Sequence, residues 1–526
     1  MQSKQTICRW HITFNKFLRK MKRSIMGGGA TSSSNTMMPP PKKTKSSSSE
    51  TPPPFDLKQS TLSIKKQFEQ FKHLYEKSET NPKLSEIYTA ILIYLDRVRE
   101  EFTLQPLLMQ QFVEEGLNGL QFFIDLFEYE HVITHFEKRN TNRNEFYPML
   151  LNTLLETTSA EDTTYNEQEE ASYDYFMDAF IANQDLICLL FDFMIRMVQQ
   201  DESFINHSFG IIENLLEYDT DVLQHVPREQ LSQFMTWMVM NVDRKHDIVL
   251  QHYTVEVLYL MVSNEHTTGI PIDMNQLLVV LNGYRQHMTS EEEDEIAENL
   301  FNTIGALVLK TEKTAFREGE GMELMLHMIK DKKKYRLGAL RVLTYAMEDC
   351  LENVKHFMEC GGMKTLFALF MKLDDGDEMD SFIVNILVNL LSLDDEVKQR
   401  IRNKFEERQY EKSIVLCRLI YKYYKKVYIF DKQVELGDAD MMMELFGSEQ
   451  VTEEDVQRKR LTFGLFTLQK LCQLLFFICK SDGIREFVTK YLKDEYKIEM
   501  ETLKIILEDY DESLREDDTK QSPTTE

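Results

Sequence analysis

Phe316-Arg-Glu-Gly-Glu-Gly-Met-Glu-Leu-Met-Leu-His-Met-Ile329 returns 41 residues later as Phe357-Met-Glu-Cys-Gly-Gly-Met-Lys-Thr-Leu-Phe-Ala-Leu-Phe370, with Gly321 falling on Gly362 and Met322 on Met363. A looser copy is Phe112-Val-Glu-Glu-Gly-Leu-Asn-Gly-Leu-Gln-Phe-Phe-Ile124. Each copy reads as a short helix, a glycine turn and a longer apolar helix. Glycine suits the turn because it bends the chain at the least steric cost. Self-similarity at such a distance marks a repeat array, whose units bury their apolar faces against their neighbours.

A second series has nearly the same period. Asn214 in Ile211-Ile-Glu-Asn-Leu-Leu216, Glu256 in Val255-Glu-Val-Leu258, Asn299 in Ala297-Glu-Asn-Leu-Phe301, Arg341 in Leu340-Arg-Val-Leu343 and Asn385 in Val384-Asn-Ile-Leu387 are polar residues set among apolar ones, at steps of 42, 43, 42 and 44. That spacing is the one expected of armadillo or HEAT units. The fold expected is all-α, a right-handed armadillo/HEAT-like helical solenoid over residues 61–510. A disordered basic tail (1–60) precedes it and an acidic disordered tail (511–526) follows. Thr157–Ser172 and Leu373–Asp380 read as acidic loops inserted in the array.

Composition agrees. The 526 residues hold only 19 Gly and 12 Pro, which favours helices. No apolar run is long enough to span a bilayer, the longest being Leu471–Cys479, so no membrane association is expected. The seven cysteines are odd in number, irregularly spaced and without a C-x-x-C pair, which suits buried thiols in a reducing compartment. Net charge is −26, yet residues 1–66 hold thirteen Lys/Arg against two acids, leaving the rest of the chain at −37. An acidic body repels nucleic-acid phosphates and attracts basic peptides. Direct nucleic-acid binding is therefore not expected.

The repeated polar position is the candidate site. On the last helix of each unit it would open onto a groove, where an asparagine amide can donate and accept at once and so clamp an extended peptide backbone. The candidate peptide-binding residues are Asn214, Glu256, Asn299 and Asn385, with Glu256 supplying charge for a Lys or Arg and Arg341 interrupting the series. The plainer reading is a solvated polar position. Trp237 and Asn241 are a single Trp-x-x-x-Asn pair of the kind by which nuclear-import adaptors grip lysine stems, out of phase with the series. An adaptor for basic cargo is accordingly the alternative function, and two Trp in the chain speak against it. Pro39–Lys45, with Lys42, Lys43 and Lys45, is the candidate nuclear-localisation segment. No phosphate loop, nucleophile elbow or H-E-x-x-H pair occurs, so neither an enzyme, a cofactor nor a metal site is expected. His131 and His135 lie four apart with no third ligand in view. Ser290-Glu-Glu-Glu-Asp294 reads as a helix cap with acids in the first turn.

Glu295-Ile-Ala-Glu-Asn-Leu-Phe301, the Phe316–Met325 run, Leu369-Phe-Met-Lys372, Asn403-Lys-Phe405, Asp431-Lys-Gln-Val-Glu435 and Arg460-Leu-Thr-Phe-Gly-Leu-Phe-Thr-Leu-Gln469 followed by Cys472 together resemble the beta-catenin-like protein 1 family. The resemblance covers about residues 61–510 and is most specific between 290 and 480. It implies a nuclear armadillo-like protein of the spliceosome. Such a protein joins the Myb-like subunit of the nineteen-type splicing complex, binds basic nuclear-localisation-type peptides of its partners and forms homodimers. Where that family carries a strongly basic cluster followed by a long acidic run, this chain has only Lys42, Lys43 and Lys45. It also departs from the family after Asp494.

Overall fold

The computed structural model describes residues 56–509, except 115–116, 141–143, 160–164, 201, 244–246, 287–289, 332, 374–376, 438–442, 444 and 447–450. Among the described residues there is no β-strand: the protein is all-α and armadillo-like, as expected. Two compact units are present, and the division in sequence falls between Asp273 and Met274.

The first unit holds α1 (Leu57–Lys77), α2 (Pro82–Leu104), α3 (Leu107–Val113), α4 (Gly119–Glu128), α5 (Glu130–Asn140), α6 (Phe146–Thr158), α7 (Glu167–Ala182), α8 (Gln184–Gln200), α9 (Ile205–Tyr218), α10 (Arg228–Asn241) and α11 (Ile248–Ser263). Asp56 caps α1 by accepting from the Gln59 N–H, so the helix begins at Leu57, inside the stretch expected as tail. Asn81 and Pro82, a stop signal for α1, also start α2, with Asn81 as cap and Pro82 in the first turn. The acidic insertion is shorter than expected. Helix α6 continues to Thr158, and a reciprocal cap between Asn166 and Glu169 opens α7 at Glu167.

The second unit holds α12 (Met274–Gln286), α13 (Glu291–Lys310), α14 (Lys313–Glu318), α15 (Gly321–Asp331), α16 (Arg336–Met347), α17 (Leu351–Glu359), α18 (Gly362–Phe370), α19 (Asp377–Asn389), α20 (Asp395–Leu436), α21 (Glu453–Thr462), α22 (Leu465–Ile478) and α23 (Asp482–Tyr491). The triplets α14–α15–α16 and α17–α18–α19 are two successive armadillo units, the first a short helix followed by two longer ones, the second two nine-residue helices followed by a longer one. Helix α19 begins at Asp377, so the second acidic loop is also shorter than Leu373–Asp380. Helix α20 is broken at Glu407–Tyr410, where Arg408, Gln409 and Tyr410 hold φ of 52°, 55° and 63°. The Tyr410 ring there stacks on Phe487 of α23 at 4.5 Å between centroids.

The repeated glycine has a more specific cause than a cheap bend. A Cβ on Gly321 would lie 2.4 Å from the ring of Phe316, one on Gly362 2.5 Å from that of Phe357, and one on Gly119 2.4 Å from that of Phe112. Those three rings are buried. The left-handed turn itself sits one residue earlier, at Glu320 (φ 60°), Gly361 (φ 74°) and Asn118 (φ 47°). One residue reverses the chain, and the next lets the phenylalanine of the short helix close under the long one.

The six described cysteines are free, and Cys417, Cys472 and Cys479 are buried. Burial pushes the Cys472 thiol up to about 12 and the Cys479 thiol up to about 11, which keeps both protonated and inert. No single helix among the described residues is long and apolar enough to cross a membrane.

Candidate functional site

The helices that carry the repeated polar position stack side by side within each unit. In the first unit α2 packs on α6, α6 on α9 and α9 on α11; in the second α13 packs on α16, α16 on α19 and α19 on α22. All five polar residues are half-buried, and each is flanked by buried apolar neighbours such as Leu215, Val257, Leu300, Val342 and Ile386. The series therefore marks one phase of one class of helix, at the seam where adjacent repeats abut.

What each polar side chain does at that seam differs. The Asn214 Nδ2 donates to the Leu155 carbonyl at 3.4 Å and the Thr158 Oγ1 at 3.2 Å, both on α6. The Thr158 carbonyl in turn accepts from the Tyr173 hydroxyl of α7 at 2.8 Å. Asn214 is thus a tie between repeats, with its Oδ1 as the amide atom left to offer a ligand. Arg341 reaches from α16 to Glu298 of α13, with Nη2 and Oε1 2.7 Å apart. Its interruption of the series is a bridge to the previous repeat. Glu256 is half-buried on α11. Asn299 on α13 and Asn385 on α19 are half-buried and make no side-chain hydrogen bond among the described residues, so both amides can donate and accept. They lie on the helices to either side of α16.

Around Tyr218, four residues after Asn214, the surroundings are acidic. The Tyr218 hydroxyl donates to the Asp174 carbonyl and to the Asp178 carboxylate. Burial, then Asp178 and Asp174, push its phenol above the ordinary tyrosine range.

The other candidates have structural partners. Trp237 is half-buried, stacked on Phe234 and edge-on to Phe209, and its carbonyl accepts from the Asn241 Nδ2 at 2.7 Å. His135 meets the Tyr75 hydroxyl at 2.6 Å, while His131 is exposed. Ser290 forms a reciprocal cap with Glu293 at the start of α13. Lys42, Lys43 and Lys45 lie outside the described residues.

Sequence comparison points to one family. The family described as catenin-beta-like, Arm-motif containing nuclear, matches residues 149–508. Human beta-catenin-like protein 1 is 29% identical over 350 residues, 62% of this chain and 61% of that protein. The beta-catenin-like protein 1 homolog of Schizosaccharomyces pombe is 25% identical over 332 residues, 60% of this chain and 57% of that protein. The match thus spans about three fifths of the length of these relatives. Among solved structures, a crystal structure of an engineered protein aligns over 77% of this chain and 99% of its own, with a TM-score of 0.39 and 12% identity. With residues 149–508 matched and repeated helix triplets in place, this chain belongs to the catenin-beta-like family of Arm-motif proteins.

Proposed function

We propose that this chain is a non-catalytic nuclear scaffold that binds basic nuclear-localisation-type segments of splicing proteins, a Myb-like subunit among them, and so supports pre-mRNA splicing. Membership of a family described as nuclear supports the compartment. The charge of −37 over residues 67–526 supports a basic ligand. The observation that carries the reading is the pair of amides, Asn299 and Asn385, that have no side-chain hydrogen bond among the described residues, on the seam helices flanking α16. An extended peptide offers backbone N–H and C=O groups at regular intervals, and an asparagine amide satisfies one of each. Glu256 supplies charge to a Lys or Arg on the first unit.

The test is affinity capture of a Lys/Arg-rich peptide from a splicing factor by the full chain. Asn299→Ala combined with Asn385→Ala removes two clamps, each of at least one hydrogen bond worth about 0.5–1.5 kcal/mol, so Kd is expected to rise about 5-fold or more. Asn214→Ala should lower stability and leave affinity nearly unchanged. Equal capture by the double variant and the parent chain rejects the groove.

A further inference from the structure

We infer that Glu323, His356 and Cys360 form a three-ligand binding site for zinc, with water in the fourth position. The three side chains come from two elements of one armadillo unit and its predecessor. Glu323 stands in the first turn of α15, His356 in the last turn of α17, and Cys360 is the residue that ends α17. The His356 Nε2 lies 2.9 Å from the Glu323 Oε1, the Cys360 Sγ lies 3.3 Å from the same oxygen, and Sγ and Nε2 are 3.6 Å apart. Ligands placed tetrahedrally about zinc at the usual Zn–S, Zn–N and Zn–O lengths lie about 3.3–3.6 Å from one another. The Sγ–Nε2 separation already fits, and the two distances to Oε1 have to open by a few tenths of an ångström.

Three further features favour a cation over a hydrogen-bonded cluster. First, the other Glu323 oxygen, Oε2, is buried and has no hydrogen-bond partner among the described residues. A carboxylate held so has unmet acceptor capacity beside a thiol and an imidazole. Second, the far ring nitrogen of His356, Nδ1, lies 3.4 Å from the Glu359 carboxylate, which is the outer partner a zinc-bound histidine ordinarily has. Third, all three groups are half-buried, so solvent reaches the remaining coordination position. A divalent cation there would be bound by the Cys360 thiolate. One carboxylate, one imidazole and one thiolate suit zinc in preference to magnesium or calcium. Bound there, it would pin α15 to the end of α17.

Cobalt(II) titration of the full, reduced chain reads the site directly, because a thiolate–cobalt bond gives a near-ultraviolet charge-transfer band. One equivalent of cobalt is expected to produce that band together with tetrahedral visible bands, and zinc to displace both. Cys360→Ser should abolish the charge-transfer band, and Cys350→Ser should leave it unchanged. Glu323→Gln should weaken zinc binding at least about tenfold, and Glu359→Gln by about tenfold. Circular dichroism checks that each variant is folded. The inference is overturned if the parent chain shows no thiolate–cobalt band, or if the band survives in folded Cys360→Ser.

Discussion

Gly361 and Gly362, adjacent in the repeat, separate two effects usually merged under the word turn. At Gly361 the backbone is left-handed (φ 74°) and an added Cβ would meet nothing within 4 Å. At Gly362 the backbone is ordinary but an added Cβ would strike the Phe357 ring at 2.5 Å. Gly361→Ala should therefore cost about 1–2 kcal/mol, the strain of an L residue in the left-handed region. Gly362→Ala should cost about 1–3 kcal/mol by overpacking, and the loss should be relieved when Phe357 is shortened to leucine; at Gly321 the Phe316 carbonyl oxygen, 2.7 Å from an added Cβ, would keep the loss in place. Urea denaturation of the Gly362→Ala/Phe357→Leu pair against its single variants checks this. Strictly additive losses would mean that the glycine–phenylalanine contact is not the cause.

At the scale of the element, the period was legible in the sequence because it is the spacing of whole helices. Asn299, Arg341 and Asn385 share one phase since α13, α16 and α19 stack directly on one another. What the period could not carry was which partner each side chain would find. Arg341 finds Glu298, 43 residues back, and Asn214 finds α6 across the acidic insertion. Glu323 and Cys360 are 37 residues apart and meet only because two repeats pack. The buried ion pair between α19 and α20 was equally hidden. Asp380, its carboxylate 1% exposed, accepts from the Lys422 Nζ at 2.9 Å and from the Tyr423 hydroxyl at 3.3 Å, although its position read as part of a loop. Lys422→Met leaves that carboxylate buried without its cation and should cost about 3 kcal/mol or more. Adding Asp380→Asn should recover part of the loss. A double-mutant cycle by thermal unfolding measures the coupling, and a value near zero would show that the pair contributes nothing specific.

Across the whole molecule, the proposed peptide binding would have charge and clamp act on different rate constants. Residues 67–526 carry −37 spread over several hundred residues, so their field reaches a basic peptide before any contact forms. Screening shortens that reach from about 30 Å at roughly 0.01 M salt to about 10 Å at roughly 0.1 M. The association rate constant for a Lys/Arg-rich peptide should therefore fall by about tenfold or more over that range. The dissociation rate should change little, because in the proposed complex it would be set by the local hydrogen bonds at the half-buried amides. Asn299→Ala and Asn385→Ala should do the reverse, raising dissociation at every salt concentration and leaving the salt slope of association intact. Stopped-flow measurement with a fluorescent peptide separates the two. If salt acted mainly on dissociation, the ligand would be held by ion pairs at a few acidic side chains instead of by the asparagine series. Glu256 would then be the first residue to neutralise, with Glu256→Gln flattening the salt dependence that the asparagine variants leave untouched.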